Sequence, residues 1–298
     1  MYNMAKDRRE GYIEVDMIYD TLIIEGGGFK TAFTAGVTDA FLSTGFTSFD
    51  KYIGISGGSV AMSYFLSGQY RYCINAMKIL DKDPEFSNLS RTFSKKGYLD
   101  IDYIATVASV KVPFKVDKAI KATKNKSVFI VATDRKKGLP EYIEPAKDTW
   151  IPAVVASSTL PFATKGIHKL NGRHYFDGGW SDPLPVKWAY ENGSRNILLL
   201  RTVPEDYINK QSWADYFGSK YFKSKPKLAK TFDQAHVKYN DSLKFIANPP
   251  KGLKVIQIAP KRFLNSSTYK HTKKTLMSDY RYGVDKGLYH LNKIDYVR

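Results

Sequence analysis

The chain has 298 residues, of which 43% are hydrophobic and 25% are charged, as in a globular protein that buries a core. Its one cysteine, Cys73, excludes an intramolecular disulfide and a multi-cysteine metal site. Lys and Arg number 46 against 29 Asp and Glu, an excess that favours anionic partners, but no zinc-finger, RRM or helix-turn-helix signature points to nucleic acid.

The N-terminal segment, residues 1–17, is polar and charged. It contains no signal-peptide core, and no apolar run in the chain reaches the ~18 residues needed to span a bilayer. We therefore expect a cytoplasmic protein without a transmembrane segment.

Strand and helix signals alternate along residues 18–204. Near-continuous apolar runs predict buried, mainly parallel strands at 21–25, 52–55, 127–133, 174–176 and 196–201. Helix signals lie between them, at 31–42, 60–66, 101–107, 150–156 and 186–192. This alternation predicts an α/β domain over residues 18–204, with an open sheet covered by helices on both faces.

Two glycine-rich turns each follow a predicted strand. The second is Gly54-Ile55-Ser56-Gly57-Gly58, a Gly-x-Ser-x-Gly pattern that is typical of a nucleophile elbow, in which a strained turn projects the serine hydroxyl. The first is Gly26-Gly27-Gly28-Phe29-Lys30, whose backbone N–H groups are free to bind an oxyanion. A nucleophile and an oxyanion hole on consecutive strand–turn–helix units suggest acyl transfer.

Other interpretations of the first turn fit less well. A phosphate-binding P-loop needs glycine before the lysine, where Phe29 stands, and a dinucleotide fingerprint needs glycine at the position of Thr31. The acidic residue that a dinucleotide site requires would follow the second strand, whereas Asp50 precedes it.

A serine nucleophile needs a base, and the strongest candidate is Asp177 in Tyr175-Phe176-Asp177-Gly178-Gly179. The apolar lead-in is typical of a strand end, and the paired glycines Gly178 and Gly179 indicate a turn that exposes the carboxylate. A plain Asp-Gly turn is the alternative. None of the five histidines (His168, His174, His236, His271 and His290) lies in a motif that would make it part of a triad.

Four ordered blocks resemble the patatin-like phospholipases: the two glycine-rich turns, Ala156-Ser157-Ser158-Thr159-Leu160-Pro161, and Asp177-Gly178-Gly179. The resemblance implies a three-layer α/β/α fold and a lipid ester substrate. It also implies Ser56 as nucleophile, Asp177 as general base, and an oxyanion hole at Gly26, Gly27 and Gly28. No cofactor or metal is expected. The supporting residues are Lys30, Gly54, Gly57, Gly58, Gly178 and Gly179.

One departure from the family pattern concerns the helix after the first turn. The family usually continues as Gly-x-Arg-Gly, whereas this chain has Phe29-Lys30-Thr31. Lys30 keeps the positive charge, and Thr31 replaces the glycine.

Residues 205–298 are predicted to form a smaller C-terminal region packed on the core. Residues 211–247 indicate one or two aromatic, basic helices, followed by a strand at 253–258 and a helix at about 269–290. Two segments, 239–246 and 255–260, resemble the C-terminal region of a bacterial subgroup of the family. Residues 201–298 hold 20 Lys and Arg against 8 Asp and Glu, so we expect peripheral contact with anionic membranes, with Lys220, Lys223, Lys225 and Lys227 contributing.

Two other functions stay open on the same fold. A non-catalytic lipid-binding protein would use the aromatic and basic stretch 211–247 as an interfacial surface but would need neither Ser56 nor Asp177. A generic carboxylesterase would use the same chemistry on short esters.

Overall fold

The computed structural model describes residues 19–81, 83–88, 90, 97–164, 169–268 and 270–295. The N-terminal segment 1–17 and His168 lie outside the described residues. None of the helices in the described ranges is both long enough and apolar enough to cross a membrane.

Within the described residues, eight strands form one sheet in the order β5-β6-β3-β2-β1-β7-β8, with β4 paired to β3. The strands are β1 Thr21–Ile24, β2 Lys51–Ile55, β3 Ser127–Asp134, β4 Pro140–Ile143, β5 Lys169–Leu170, β6 Arg173–Asp177, β7 Asn196–Leu200 and β8 Lys254–Ile258. The pairs β3–β2, β2–β1, β1–β7 and β7–β8 are parallel, and β6 runs antiparallel to β3. The predicted α/β class with a mainly parallel central sheet is confirmed.

The central strands are buried on both faces, which explains their continuous apolar sequences. Successive side chains alternate between two cores: Leu22 and Ile24 pack on one face of the sheet, and Ile23 packs on the other. Helices cover both faces, so the sheet is the middle of three layers.

The helices are α1 Thr31–Thr44, α2 Gly57–Leu66, α3 Tyr72–Leu80, α4 Tyr103–Thr106, α5 Val116–Ala122, α6 Trp150–Ser157, α7 Val186–Glu191, α8 Trp213–Tyr221, α9 Pro226–Asp233, α10 Ala235–Ala247 and α11 Lys273–Asp295. The strands β4 and β5 and the helices α3 and α5 were not predicted. The predicted helix 101–107 begins at Tyr103 and continues as a π-helical turn, Val107–Lys111. Residues 211–247 form three helices rather than one or two, because Pro226 has no N–H for a continuing helix and instead begins α9.

The C-terminal region contributes to the same sheet and to the same helical layer. Strand β8 pairs in parallel with β7, so the proposed boundary at 204/205 lies between two neighbouring strands. Helix α11 packs against α1 in backbone-to-backbone contact. A Cβ added to Gly283 would lie 1.9 Å from the Phe33 carbonyl oxygen, so this crossing requires glycine. The Tyr280 hydroxyl also donates to the buried Asp39 carboxylate of α1 at 2.8 Å.

Candidate active site

Ser56 lies in the turn between β2 and α2, with φ 51° and ψ −127°, a conformation that is strained for any residue with a Cβ. Backbone hydrogen bonds hold it there. Its N–H donates to the Ser157 Oγ at 2.8 Å, and that hydroxyl donates in turn to the Val131 carbonyl of β3 at 2.6 Å. Its own carbonyl accepts bonds from the Ser59 N–H at 2.9 Å and from the Ser59 hydroxyl at 2.6 Å.

The strand register brings Asp177 to Ser56. Ile55 at the end of β2 pairs with Val131, and Asp177 at the end of β6 pairs with Ala132, so neighbouring residues of β3 hold the two strand ends side by side. The Ser56 side chain is close enough to the Asp177 carboxylate to lower its pKa, and both residues line the same cavity. Two residues that lie far apart in sequence therefore meet at one point.

Burial controls the electrostatics of Asp177. Desolvation raises the pKa of its carboxyl from the ordinary 3.8 to about 6, because charge is disfavoured away from water. The Ser56 side chain beside it acts in the opposite direction, as does the hydrogen bond that Oδ1 accepts from the Gly179 N–H at 2.8 Å. The result is a carboxylate that is mostly ionised at neutral pH and yet more basic than an exposed aspartate, as a general base requires.

The glycine turn that follows β1 runs beside Ser56. A Cβ added to Gly26 would lie 3.0 Å from the Ser56 Cβ, which shows how closely the two turns approach. Among the described residues, nothing accepts a hydrogen bond from the N–H of Gly26 or Gly27, and both residues line the same cavity as Ser56. Unpaired N–H groups next to a serine hydroxyl are the donors that an oxyanion hole needs.

A buried network that the sequence analysis missed supports this turn. Glu25, directly before the glycines, accepts hydrogen bonds from the Thr202 N–H at 2.5 Å and from the Tyr239 hydroxyl at 2.7 Å. The fully buried Arg201 donates to the Tyr239 hydroxyl at 3.0 Å, which links a cation to the Glu25 carboxylate. Thr202 Oγ1 also donates to the Gly26 carbonyl at 2.8 Å. Because Tyr239 is 214 positions from Glu25, no local sequence signal could reveal the contact.

Lys30 and Thr31 stand where the family pattern has arginine and glycine, and both line the cavity. Burial lowers the pKa of the Lys30 ammonium, and the charge of Glu25 partly restores it. Thr31 is buried, and among the described residues its Oγ1 has no hydrogen-bond partner. That oxygen would lie only 2.2 Å from a Cβ added to Gly57, so Thr31 fits because the elbow has glycine there.

A cavity of about 350 Å³ has Ser56 and Asp177 in its wall and extends between the helices of one layer. Its walls beyond the two turns are almost entirely apolar. The apolar lining residues are Val60, Tyr64, Cys73, Ala76, Met77, Leu80, Phe86, Leu99, Ile101, Ile104, Val107, Ala108, Phe114, Ile151, Val154 and Leu160. A cavity of this size and polarity fits an apolar chain whose polar end reaches Ser56.

The other predicted residues lie at or directly behind the site. Gly26, Gly27, Gly28, Lys30, Gly57 and Gly179 line the cavity, whereas Gly54, Gly58 and Gly178 do not. Gly58 instead allows α2 to pack against β1, since a Cβ there would lie 2.2 Å from the Ile24 carbonyl oxygen. No histidine of the described ranges lines the cavity. In those ranges no group of three His, Cys, Asp or Glu is arranged to hold a metal ion.

Comparisons with known proteins cover most of the chain. The family model "Patatin-like phospholipase" matches residues 22–190, and the model "Domain of unknown function (DUF6363)" matches residues 225–296. The chain is 31% identical over 276 residues to the uncharacterized protein YjjU of Escherichia coli (strain K12), covering 91% of this chain and 76% of YjjU. Among solved structures, VipD from Legionella pneumophila aligns with a TM-score of 0.45 at 14% identity, covering 92% of this chain and 67% of that chain.

Proposed function

Because the chain belongs to the patatin-like phospholipase family, we propose that it is a serine acyl hydrolase that cleaves fatty-acyl esters of phospholipids and related lipids. One observation carries the proposal. Ser56 and Asp177, both buried, lie side by side on the wall of an apolar cavity of about 350 Å³, and the Ser56 side chain lowers the pKa of the Asp177 carboxyl. The pair supplies a nucleophile with its base, and the cavity supplies space for an acyl chain.

In the first half of the reaction, Asp177 accepts the proton of the Ser56 hydroxyl as the oxygen attacks the ester carbonyl. The negative charge on the carbonyl oxygen is stabilised by N–H groups of residues 26–28, and losing one such donor typically costs ~2.7–4 kcal/mol. Collapse of the tetrahedral intermediate breaks the ester bond. The departing alcohol takes the proton from Asp177 and leaves an acyl group on Ser56.

In the second half, Asp177 accepts a proton from water, which attacks the acyl-serine. Collapse of the second tetrahedral intermediate returns the proton to Ser56 and releases the fatty acid. A pKa of about 6 for Asp177 suits both halves, because the carboxylate is ionised when it acts as base and gives the proton back readily.

The apolar cavity favours lipid esters over the short esters of a generic carboxylesterase, because a short acyl group would leave most of the apolar wall in contact with water. The buried Asp177 carboxylate beside the Ser56 hydroxyl favours an enzyme over a lipid-binding protein. Binding alone would need the cavity but no base beside the serine.

The test is a hydrolysis assay with phospholipids and with nitrophenyl esters of increasing acyl length. We expect fatty-acid release from phospholipid, faster turnover of long than of short esters, and loss of both activities in Ser56→Ala and Asp177→Asn. The matched histidine control is His271→Asn, since His271 stacks on the cavity residue Phe29 and is the histidine best placed to reach the site. Turnover of short esters alone would contradict the lipid substrate, and a folded but inactive His271→Asn would contradict the dyad.

A further inference from the structure

Helix α8 presents aromatic side chains to solvent. Trp213 is 77% exposed, Tyr221 71%, Phe217 56% and Tyr216 44%. Their spacing places them on one face of the helix, and the rings of Trp213 and Phe217 stack on each other at 5.9 Å. Because surface helices ordinarily turn apolar residues inward, an aromatic face in contact with water marks an interaction site.

The inward face of α8 explains why these rings remain outside. Asp215 and Gly218 are the buried residues of the helix, and a Cβ added to Gly218 would lie 2.6 Å from the Phe232 ring. The helix therefore packs on α9 through its smallest residue. Asp215 caps the first turn through the Ser212 N–H, so this carboxylate adds no charge to the outward face.

The aromatic face continues to the cavity. Tyr221 meets the ring of Phe162 edge to face at 5.4 Å, and Phe162 is itself 44% exposed. Two residues before it, Leu160 lines the cavity. Phe162 has φ 69°, an uncommon conformation for a bulky residue, and its ring contacts hold it toward α8. We refer to Trp213, Tyr216, Phe217, Tyr221 and Phe162 together as the α8 aromatic face.

Basic residues border this face and follow it along the chain. Lys220 lies over the Tyr216 ring at 5.5 Å, and Lys223, Lys225 and Lys227 follow it as exposed side chains. Between residues 213 and 230, all of which the structure describes, Asp215 is the single acidic residue, and it is buried. An apolar stripe with a basic border complements a surface that has negative headgroups outside and acyl chains beneath.

We propose that the α8 aromatic face docks the protein on an anionic lipid surface, which brings the Leu160 side of the cavity close to the lipid. The rings enter the headgroup region, where amphipathic aromatic side chains are favoured, and the lysines bind the anionic headgroups. A second copy of the chain is the less suitable occupant, because a symmetric contact would set the lysines of the two copies against each other. The role of the cavity in this proposal rests on the proposed function, whereas the docking itself does not.

The experiment separates docking from hydrolysis by using vesicles of ether-linked phosphatidylcholine, with and without ether-linked phosphatidylglycerol, which contain no ester to cleave. The full chain is sedimented with these vesicles at low and high salt. We expect binding to the anionic vesicles that weakens with salt and little binding to the neutral ones.

Two variants test the face, each with a matched control. Trp213→Ala/Phe217→Ala/Tyr221→Ala should lower vesicle binding by about tenfold or more, since burying a large apolar side chain contributes about a factor of ten or more in affinity. Tyr289→Ala, which removes an equally exposed ring from a different helix, α11, should not. Glutamine at Lys220, Lys223, Lys225 and Lys227 should weaken binding, whereas glutamine at the exposed Lys124, Lys244, Lys251 and Lys254, near the amino-terminal ends of β3 and β8, should weaken it much less.

The same variants link docking to substrate access. The aromatic triple variant should lose hydrolysis of vesicle phospholipid while keeping turnover of a monomeric ester at the wild-type rate. Equal binding to neutral and anionic vesicles, no binding, or unchanged binding by the triple variant would each overturn the docking proposal. If the triple variant loses a self-association that the wild type shows without vesicles, but keeps its vesicle binding, the docking proposal is also overturned. If no ester is turned over, the proposed function is refuted instead.

Discussion

The buried carboxylate of Asp177 predicts that removing its charge stabilises the protein while it abolishes activity. Burial raises the pKa of Asp177 from 3.8 to about 6, so the ionised form disfavours folding. An asparagine side chain in its place would keep the shape and still accept the hydrogen bond from the Gly179 N–H, but it would carry no charge. We therefore expect Asp177→Asn to unfold at higher denaturant concentration than the wild type at neutral pH.

The magnitude follows from the two pKa values. Raising the pKa of Asp177 from 3.8 to about 6 corresponds to a free-energy difference of about 3 kcal/mol between its charged and neutral forms. This value is the upper limit for the stabilisation of Asp177→Asn relative to the wild type at neutral pH. Because the folded state binds the proton more tightly, the wild type gains stability as the pH falls through the folded pKa. Between about pH 7 and about pH 5 the wild type should gain about 1.3 kcal/mol relative to Asp177→Asn.

The assay is urea denaturation of both proteins at the two pH values. Taking the difference between them removes the contributions of other buried acids, such as Asp39 and Asp182, which both proteins contain. The wild-type kcat/KM should fall over the same range, to about a tenth at about pH 5, because protonated Asp177 cannot act as base. A stability difference that is the same at both pH values would refute the argument that burial raises this pKa.

Three further changes test other parts of the structure. Ser56→Gly should be more stable than Ser56→Ala by about 1 kcal/mol in urea denaturation, because only glycine relieves the positive φ, and equal stabilities would show that the elbow is unstrained. Ala76→Phe, which fills part of the cavity, should lower kcat/KM for long acyl esters much more than for short ones; a uniform loss would place the acyl chain elsewhere. Gly283→Ala should destabilise the chain by about 1–3 kcal/mol, since the new Cβ meets the Phe33 carbonyl, whereas Asp285→Ala on the same helix should have little effect, and thermal unfolding of the two variants compares them.

The parts of the fold that could be predicted are those whose sequence carries a local signal. The central strands have unbroken apolar sequences because helices cover both faces, and their predicted bounds differ from the observed ones by one or two residues. Strand β4 was missed because all of its residues are only partly buried, so Pro140–Ile143 has no apolar run. Helix α3 was not predicted, although the buried residues of Tyr72–Leu80 do follow the helical i, i+3, i+4, i+7 spacing.

The same distinction applies to the candidate site: some of its residues have a local sequence signal, and the contacts between them do not. The two glycine turns and Asp177 could be singled out because each follows a strand and changes the direction of the chain. That Asp177 lies against Ser56 depends on the antiparallel pairing of β6 with β3, which no spacing rule predicts. The contact of Tyr239 with Glu25 could not be predicted either, because the two residues lie 214 positions apart and no local sequence signal links them.

The packing of α11 on α1 has a consequence for how the protein is made. Asp39 and Tyr280 are 241 positions apart, so at about 5–20 residues per second a ribosome finishes α11 some 12–50 s after α1 has been synthesised. During that time the Gly36 surface of α1, which faces the Tyr280 carbonyl in the finished protein, remains uncovered. We expect a chain that ends before Lys273 to be cleaved rapidly in limited proteolysis, because α1 then lacks the helix that covers its Gly36 surface.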